Sequence, residues 1–349
     1  MKTHSPPRRL LVVLPNWVGD VVLATPVLAA LRKSLAEAHI CYLHRPYVGE
    51  IVAGCGWHDQ SIEWPAKKGW RGAIARIEFS RAVRRERFDV ALLLTNSFRS
   101  ALTTWLAGVP RIIGYAREWR GWMLTDRLRP LKRDGEFVPS PMLDYYIKLA
   151  EYIGCPVTNT RLQLGISAEQ DAAGQRLKEH YGIQNKRYAI INPGAAFGAA
   201  KCWLPERFAE VCDELLLRHE LIGVIVGAAG EAALMRKISE AARQRVICCE
   251  SPGTTLGSLK PLVRDAALMV CNDTGPRHYG NAFGIPVVTI FGPTFQEWTD
   301  TGYEGESKLQ ARVDCGPCML RVCPLDHRCM RGITSAEVVA AAGKLIQQS

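Results

Sequence analysis

The 349-residue chain has no apolar run long enough to cross a bilayer. Its longest, such as Leu10–Pro15 and Val90–Leu94, are strand-sized, against the roughly 18 residues a spanning helix needs. A signal-peptide pattern is also missing. Met1–Arg9 is short and polar, and the apolar run behind it meets Asn16 and Asp20 almost at once. Cysteine, at 12 residues, is far too sparse for a disulfide scaffold. These absences lead to the expectation of a cytoplasmic protein with mostly reduced thiols. Internal repeats and low-complexity tracts are absent too. What is present is ordinary globular material, 48% hydrophobic and 22% charged, which excludes global disorder. The length suits two domains, each able to bury a real core.

The charge is uneven. The chain carries 44 Lys+Arg against 34 Asp+Glu, a net of +10. From Lys67 to Arg133 there are 16 basic and 5 acidic residues, so the remainder holds 28 against 29. The whole excess therefore sits in one stretch of the first half. It reads either as solvated helix faces or as a surface that meets something anionic.

Strand and helix signals alternate through both halves, which argues for βαβ units and parallel sheets. In the first half the strands are Arg9–Pro15, Ile40–His44, Phe88–Thr95 and Arg111–Tyr115, with helices over Asp20–Leu35 and Ser97–Ala107. In the second half the strands are Tyr188–Asn192, Leu221–Gly227, Val246–Glu250, Leu268–Asn272 and Val287–Phe291. Helices lie between them over Pro205–His219, Glu231–Arg243 and Thr255–Ala266, with a short one ending at Gly280–Gly284. Pro139, Pro141, Gly154 and Pro156 surround a helical Met142–Ile153 and mark the hinge. The expected domains are 1–160 and 161–334, with a last helix over 335–348. Two such α/β domains suggest a cleft, and ligands of open parallel sheets bind beyond the carboxyl ends of the strands.

The informative residues do fall just after strands. Pro15-Asn16-Trp17-Val18-Gly19-Asp20 follows the first. Asp20 reads either as a helix cap or as a carboxylate able to take a proton from an acceptor hydroxyl. With Gly19 as its only glycine, this loop is not the dinucleotide fingerprint G-x-G-x-x-G. Asn192 to Trp203 opens the second domain, with small residues from Gly194 onward and Lys201 just before a helix. Exposed amides and a lysine suit a phosphate, although the segment is not a Walker A loop. Asn272-Asp273-Thr274-Gly275-Pro276-Arg277-His278 could hold sugar hydroxyls or a diphosphate, with a buried helix cap as the plainer alternative. Glu231, after a further strand, is a weaker candidate for ribose hydroxyls.

Together these motifs resemble the ADP-heptose:lipopolysaccharide heptosyltransferases of glycosyltransferase family 9. The segments that carry the resemblance are Trp17-Val18-Gly19-Asp20, Asn96-Ser97-Phe98-Arg99-Ser100-Ala101-Leu102, Pro193 to Trp203, and Asn272 to Gly275 with His278. The resemblance implies an α/β fold of the GT-B class, with two facing Rossmann-like domains and the C-terminal helix packed back on the first. It implies an inverting, metal-independent transfer with no cofactor. The donor, ADP-heptose, binds the second domain, and a heptosyl-Kdo-lipid A core binds the first. Asp20 is then the general base and Lys201 the diphosphate ligand. Gly194, Asp273, Thr274, Gly275 and His278 line the donor, with Glu231 on the ribose. Where relatives carry a bulkier apolar pair, this chain has Pro276-Arg277. Arg277 either adds a cation at the diphosphate or points away.

Anionic acceptor groups need cations, and Arg99, Arg117 and Arg120 are the candidates on the first domain, with Arg111 and Arg127 nearby; Asn96 and Ser97 are the neutral acceptor-binding candidates beside them. A monomer working at the inner membrane face is expected, with no nucleic-acid partner. Cys315, Cys318, Cys323 and Cys329 form C-x₂-C-x₄-C-x₅-C, readable as a structural metal site, as disulfides or as reduced thiols. The competing readings are a transferase for another nucleotide sugar and a nucleic-acid-binding protein with a Cys-rich knuckle.

Overall fold

The computed structural model describes residues 5–65, 69–130, 132–133, 136–138 and 140–348. Lys67 and Lys68 of the basic stretch, and Pro139 of the expected hinge, lie outside the described residues. The chain divides into two compact units, Met1–Arg161 and Leu162–Ser349.

The first unit runs β1 (Arg9–Val13), α1 (Val18–Leu23), α2 (Thr25–Ser34), β2 (His39–His44), α3 (Pro46–Val52), β3 (Gln60–Glu63), α4 (Gly69–Arg85), β4 (Val90–Leu93), α5 (Phe98–Leu106), β5 (Arg111–Tyr115) and β6 (Asp126–Leu128). A two-stranded pair, β7 (Lys132–Arg133) and β8 (Glu136–Phe137), and α6 (Met142–Tyr152) complete it. The second unit runs α7 (Ala168–His180), β9 (Tyr188–Asn192), α8 (Pro205–His219), β10 (Ile222–Ile225), α9 (Ala232–Ala241), β11 (Val246–Cys248), α10 (Leu256–Arg264), β12 (Leu268–Asn272), α11 (Arg277–Phe283), β13 (Val287–Phe291), β14 (Glu306–Gln310), α12 (Arg328–Arg331) and α13 (Ser335–Gln348).

Each unit is built on a six-stranded sheet. The orders are β3-β2-β1-β4-β5-β6 and β11-β10-β9-β12-β13-β14, and every neighbouring pair is parallel. The central strands are apolar and buried along their whole length, as parallel strands covered on both faces must be. The edge strands β3 and β14 are only half-buried. The expected single helix from Asp20 to Leu35 is two helices. Pro26 at the start of α2 has no N–H to continue the ladder, and Thr25 Oγ1 donates instead to the carbonyl of Val22 at 2.7 Å.

The terminal helix α13 packs within the second unit. Val338, Val339, Ala342 and Leu345 join the cluster formed by Phe208, Val211, Cys212 and Leu215 of α8. Burial of each larger apolar side chain is worth roughly 1.5–3 kcal/mol, which fixes the helix there.

Candidate functional site

In each sheet the strand order reverses at one place, between β1 and β4 in the first and between β9 and β12 in the second. The chains leaving two such neighbours turn toward opposite edges, which opens a crevice at the carboxyl ends of the strands. Several of the residues singled out in the sequence fall at these two places, while Glu231 follows β10 and Arg117 and Arg120 follow β5. Asp20 follows β1 and Asn96–Arg99 follow β4. Gly194 to Lys201 follow β9, and Asp273 to His278 follow β12.

In the second unit these residues form a paired, buried constellation. Lys201 ends a short 3₁₀ turn, Ala199–Lys201, and its Nζ lies 2.5 Å from Asp273 Oδ2 and 3.2 Å from the Asp273 carbonyl. Thr294 Oγ1, after β13, donates to the same carboxylate oxygen at 2.7 Å. Burial works against ionisation of Asp273. The charges of Arg277 and Lys201 and the bonds from Lys201 and Thr294 outweigh it, holding the carboxyl below its usual range. Asn272 ties the two loops together, donating to the Pro193 carbonyl at 2.5 Å and accepting from Trp203 N at 3.2 Å.

Glu231 sits against the same loops. Its Oε2 accepts from Ala228 N at 2.9 Å, and its carboxylate occupies the space a Cβ on Gly194 would need. Gly194 therefore carries no side chain because a carboxylate approaches its Cα. Thr274 and Gly275 are half-buried at the head of α11. His278 is buried, and its Nδ1 has no hydrogen-bond partner among the described residues. Desolvation, helped by Arg277, Lys308 and Lys201, drives its pKa well below the ordinary histidine value, so the ring is neutral at pH 7.

The open question about Arg277 is resolved by its pairing. It is fully buried, and its guanidinium meets Glu306 at 2.6 Å and the Thr299 carbonyl at 2.7 Å, with Phe291 beneath it at 4.9 Å. Glu306 also accepts from Thr289 at 2.6 Å and Asn281 at 3.1 Å. Arg277 is thus a structural cation. It stands 3.7 Å from Asp273 Oδ1 and steadies that carboxylate from behind.

The first unit is more open. Asp20 lies in the first turn of α1, half-buried, while the N-cap is Trp17. The cap reading therefore does not account for it. Its charge helps burial raise the pKa of Tyr146, which places the carboxylate near that ring. Ser97 is the N-cap of α5, its Oγ accepting from Arg99 N at 3.2 Å. Asn96 Oδ1 accepts from Tyr145 Oη at 2.7 Å, and Tyr145 stacks on Tyr115 with ring centres 3.6 Å apart. Arg99 is exposed and Arg117 half-buried.

Arg120 is a correction. It is fully buried, donating to the carbonyls of Tyr115 (3.0 Å), Thr95 (2.5 Å) and Ser97 (3.4 Å) and to Asn96 Oδ1 (3.3 Å). A guanidinium with all its donors turned inward cannot meet an acceptor. It pins the loop after β5 to the start of α5. Arg111 is likewise held by both oxygens of Asp126. The pinned loop holds Trp119 at 94% exposure, with Trp122 packed on Trp105 at 5.4 Å beside it.

All twelve cysteines are free thiols. Among the described residues no group of three or more His, Cys, Asp or Glu side chains is arranged to hold a metal. His327 is engaged elsewhere, its Nε2 bonded to the Ala200 carbonyl at 2.8 Å. The cysteine-rich segment is laced to the Lys201 loop, which was not legible beforehand. Thr294 and Glu306 are further residues that sequence reasoning missed, while Phe197 and Trp203 stood in the Pro193 to Trp203 motif with no role of their own. Thr294 lies just after a strand, so the strand-end rule could have found it.

Two parallel sheets of identical strand order, each with its loops at the switch point and neither with a dinucleotide fingerprint, make up the architecture of the GT-B glycosyltransferases. Within that class the chain belongs to glycosyltransferase family 9 (heptosyltransferase), whose family model matches residues 76–328. It is 28% identical to lipopolysaccharide heptosyltransferase 2 of Escherichia coli K12 over 299 residues, 83% of this chain and 84% of that one. It is 24% identical to lipooligosaccharide heptosyltransferase 2 of Campylobacter jejuni over 348 residues, covering 98% and 99%. Among solved structures, a family 9 glycosyl transferase from Veillonella parvula superposes with a TM-score of 0.82 at 23% identity, covering 98% of both chains. The E. coli ADP-heptose heptosyltransferase II structure gives 0.80 at 22% identity, covering 97% and 99%.

Proposed function

We propose that this glycosyltransferase moves L-glycero-D-manno-heptose from ADP-heptose to the heptosyl-Kdo-lipid A inner core of lipopolysaccharide, with inversion and without a divalent metal. The observation that carries the reading is the Lys201–Asp273–Thr294 constellation at the β9/β12 switch point, in a chain of this family. The donor diphosphate is met by Lys201 and the small-residue loop from Gly194. The heptose is lined by Asp273, Thr274, Gly275 and His278, and the ribose is read by Glu231. His278, being neutral, lines the donor without adding charge.

Asp20 is the general base, withdrawing the proton of the acceptor hydroxyl as its oxygen bonds the anomeric carbon. The bond from that carbon to the diphosphate oxygen breaks, and ADP leaves with the negative charge. Fixed cations and dipoles aimed at the leaving group supply most of its stabilisation. Asn96, Ser97, Arg99 and Arg117 are the acceptor contacts that remain after Arg120 is withdrawn. The basic excess of the first half and the exposed Trp119 support work on a lipid-borne acceptor at the inner membrane face. Mass analysis of a core acceptor incubated with ADP-heptose tests the assignment. A gain of one heptose with inverted configuration supports it, and an unchanged acceptor with intact donor refutes it.

A further inference from the structure

The geometry points to Arg321, in the cysteine-rich segment, as a second cation of the donor diphosphate site. The inference rests on the donor-site reading above. Its starting point is a charge count. Lys201 is paired with Asp273, and Arg277 is paired with Glu306. Two cations against two carboxylates leave the buried group neutral, and Glu231 at the same loops adds a negative charge. A nucleoside diphosphate brings more negative charge to a place that has no net positive charge to meet it. A further cation is needed, and it must be exposed, unpaired and fixed at the loop.

Arg321 meets all three conditions. Its side chain is exposed, and no carboxylate among the described residues pairs with it. Its guanidinium carbon lies 5.5 Å from the centre of the Phe197 ring, the same ring that Lys201 Nζ approaches at 5.0 Å. One aromatic ring, in the middle of the phosphate loop, thus steers both cations. The guanidinium fork suits two phosphate oxygens at once, which an ammonium does not.

The backbone holds this arrangement firmly. The Arg321 carbonyl accepts from Ala200 N at 3.0 Å, one residue before Lys201. Gly198, at φ 156°, gives the close approach its room, because a Cβ there would collide with that carbonyl. Met319 N donates to the Pro293 carbonyl at 2.8 Å, next to the Thr294 that holds Asp273. His327 secures the far end through the Ala200 carbonyl. The segment from Met319 to His327 is therefore sewn to the loops on both sides of the proposed diphosphate. Its job, on this account, is to present Arg321.

The test compares ADP with adenosine on the full chain, by calorimetry, in wild type, Arg321→Ala and Arg321→Lys. Substitution keeps the backbone bond to Ala200, so folding is expected to survive and thermal unfolding checks it. Arg321→Ala is expected to weaken ADP about tenfold while leaving adenosine within about twofold, and Arg321→Lys to recover part of the loss. ADP affinity within about twofold of wild type in Arg321→Ala, or an equal loss for adenosine, overturns the inference. UDP, GDP and CDP are run alongside with their nucleosides. Preference of the wild type for one of these refutes the ADP-heptose reading, and the same diphosphate-specific loss on that nucleotide still supports Arg321. Binding of no nucleoside diphosphate by the wild type overturns both.

Discussion

The carboxyl edges of the two sheets are alike in topology and unlike in chemistry. At the β9/β12 edge the charged groups are buried and paired before any ligand arrives. Lys201 answers Asp273 and Arg277 answers Glu306, and each carboxylate takes at least one further hydroxyl bond. At the β1/β4 edge Asp20 and Arg99 face partly outward, and the buried cation, Arg120, serves the backbone. A preorganised, desolvated edge suits one small ligand held the same way every turnover. A looser edge with exposed cations and aromatics suits a large, variably decorated one. The difference also separates two kinds of mutational effect, because removing one partner of a buried ion pair harms the fold, whereas removing a half-exposed charge does not.

Lys201→Ala should give the largest change. It removes the proposed donor cation and strips Asp273 of its nearest counter-charge. Turnover should fall roughly 10²-fold or more, with a loss of about 3–5 kcal/mol in stability by denaturant unfolding. Asp20→Ala should match it in turnover, about 10²-fold or more, yet keep stability within about 1 kcal/mol. Equal destabilisation by both would erase the contrast between the edges.

Arg120→Met should cost about 3 kcal/mol of stability by leaving buried carbonyls without donors. Arg99→Ala, one loop away, should leave stability unchanged and raise the acceptor KM several-fold. A stable Arg120→Met with a raised acceptor KM would restore Arg120 to the acceptor surface.

The smallest effect is a pH dependence. Below about pH 6.5 the unfolded chain protonates His278, while the folded protein keeps the buried ring neutral. The unfolded state then binds more protons, so stability falls as pH drops below that value, by at most about 1.4 kcal/mol per pH unit from this group. His278→Gln should flatten that part of the pH–stability curve.

Much of this was legible in the sequence. The buried parallel strands are short apolar runs, and the loops behind them carry the polar and glycine residues that ligand sites need. Asp20, Lys201 and Asp273 were singled out by that rule, and the structure brings Lys201 and Asp273 together. The half-buried edges were harder, because Gln60–Glu63 and Glu306–Gln310 have too few apolar residues to stand out. Arg120 was misread for a different reason. In a basic stretch a guanidinium reads as surface charge, and its actual partners are backbone carbonyls, which leave no trace in residue identity. The same holds for Arg321, whose tie to the phosphate loop runs through its own carbonyl and a missing Cβ on Gly198.

On the proposed function, the β9/β12 edge holds ADP-heptose while the β1/β4 edge supplies acceptor and base. Nucleoside diphosphate release, measured with ADP-heptose and a panel of other nucleotide sugars, with and without a heptosyl-Kdo-lipid A acceptor, tests it most directly. Rapid release is expected from ADP-heptose alone among the donors, dependent on the acceptor and lost in Asp20→Ala. Comparable release from another nucleotide sugar, or release from ADP-heptose that ignores both acceptor and Asp20, would contradict it.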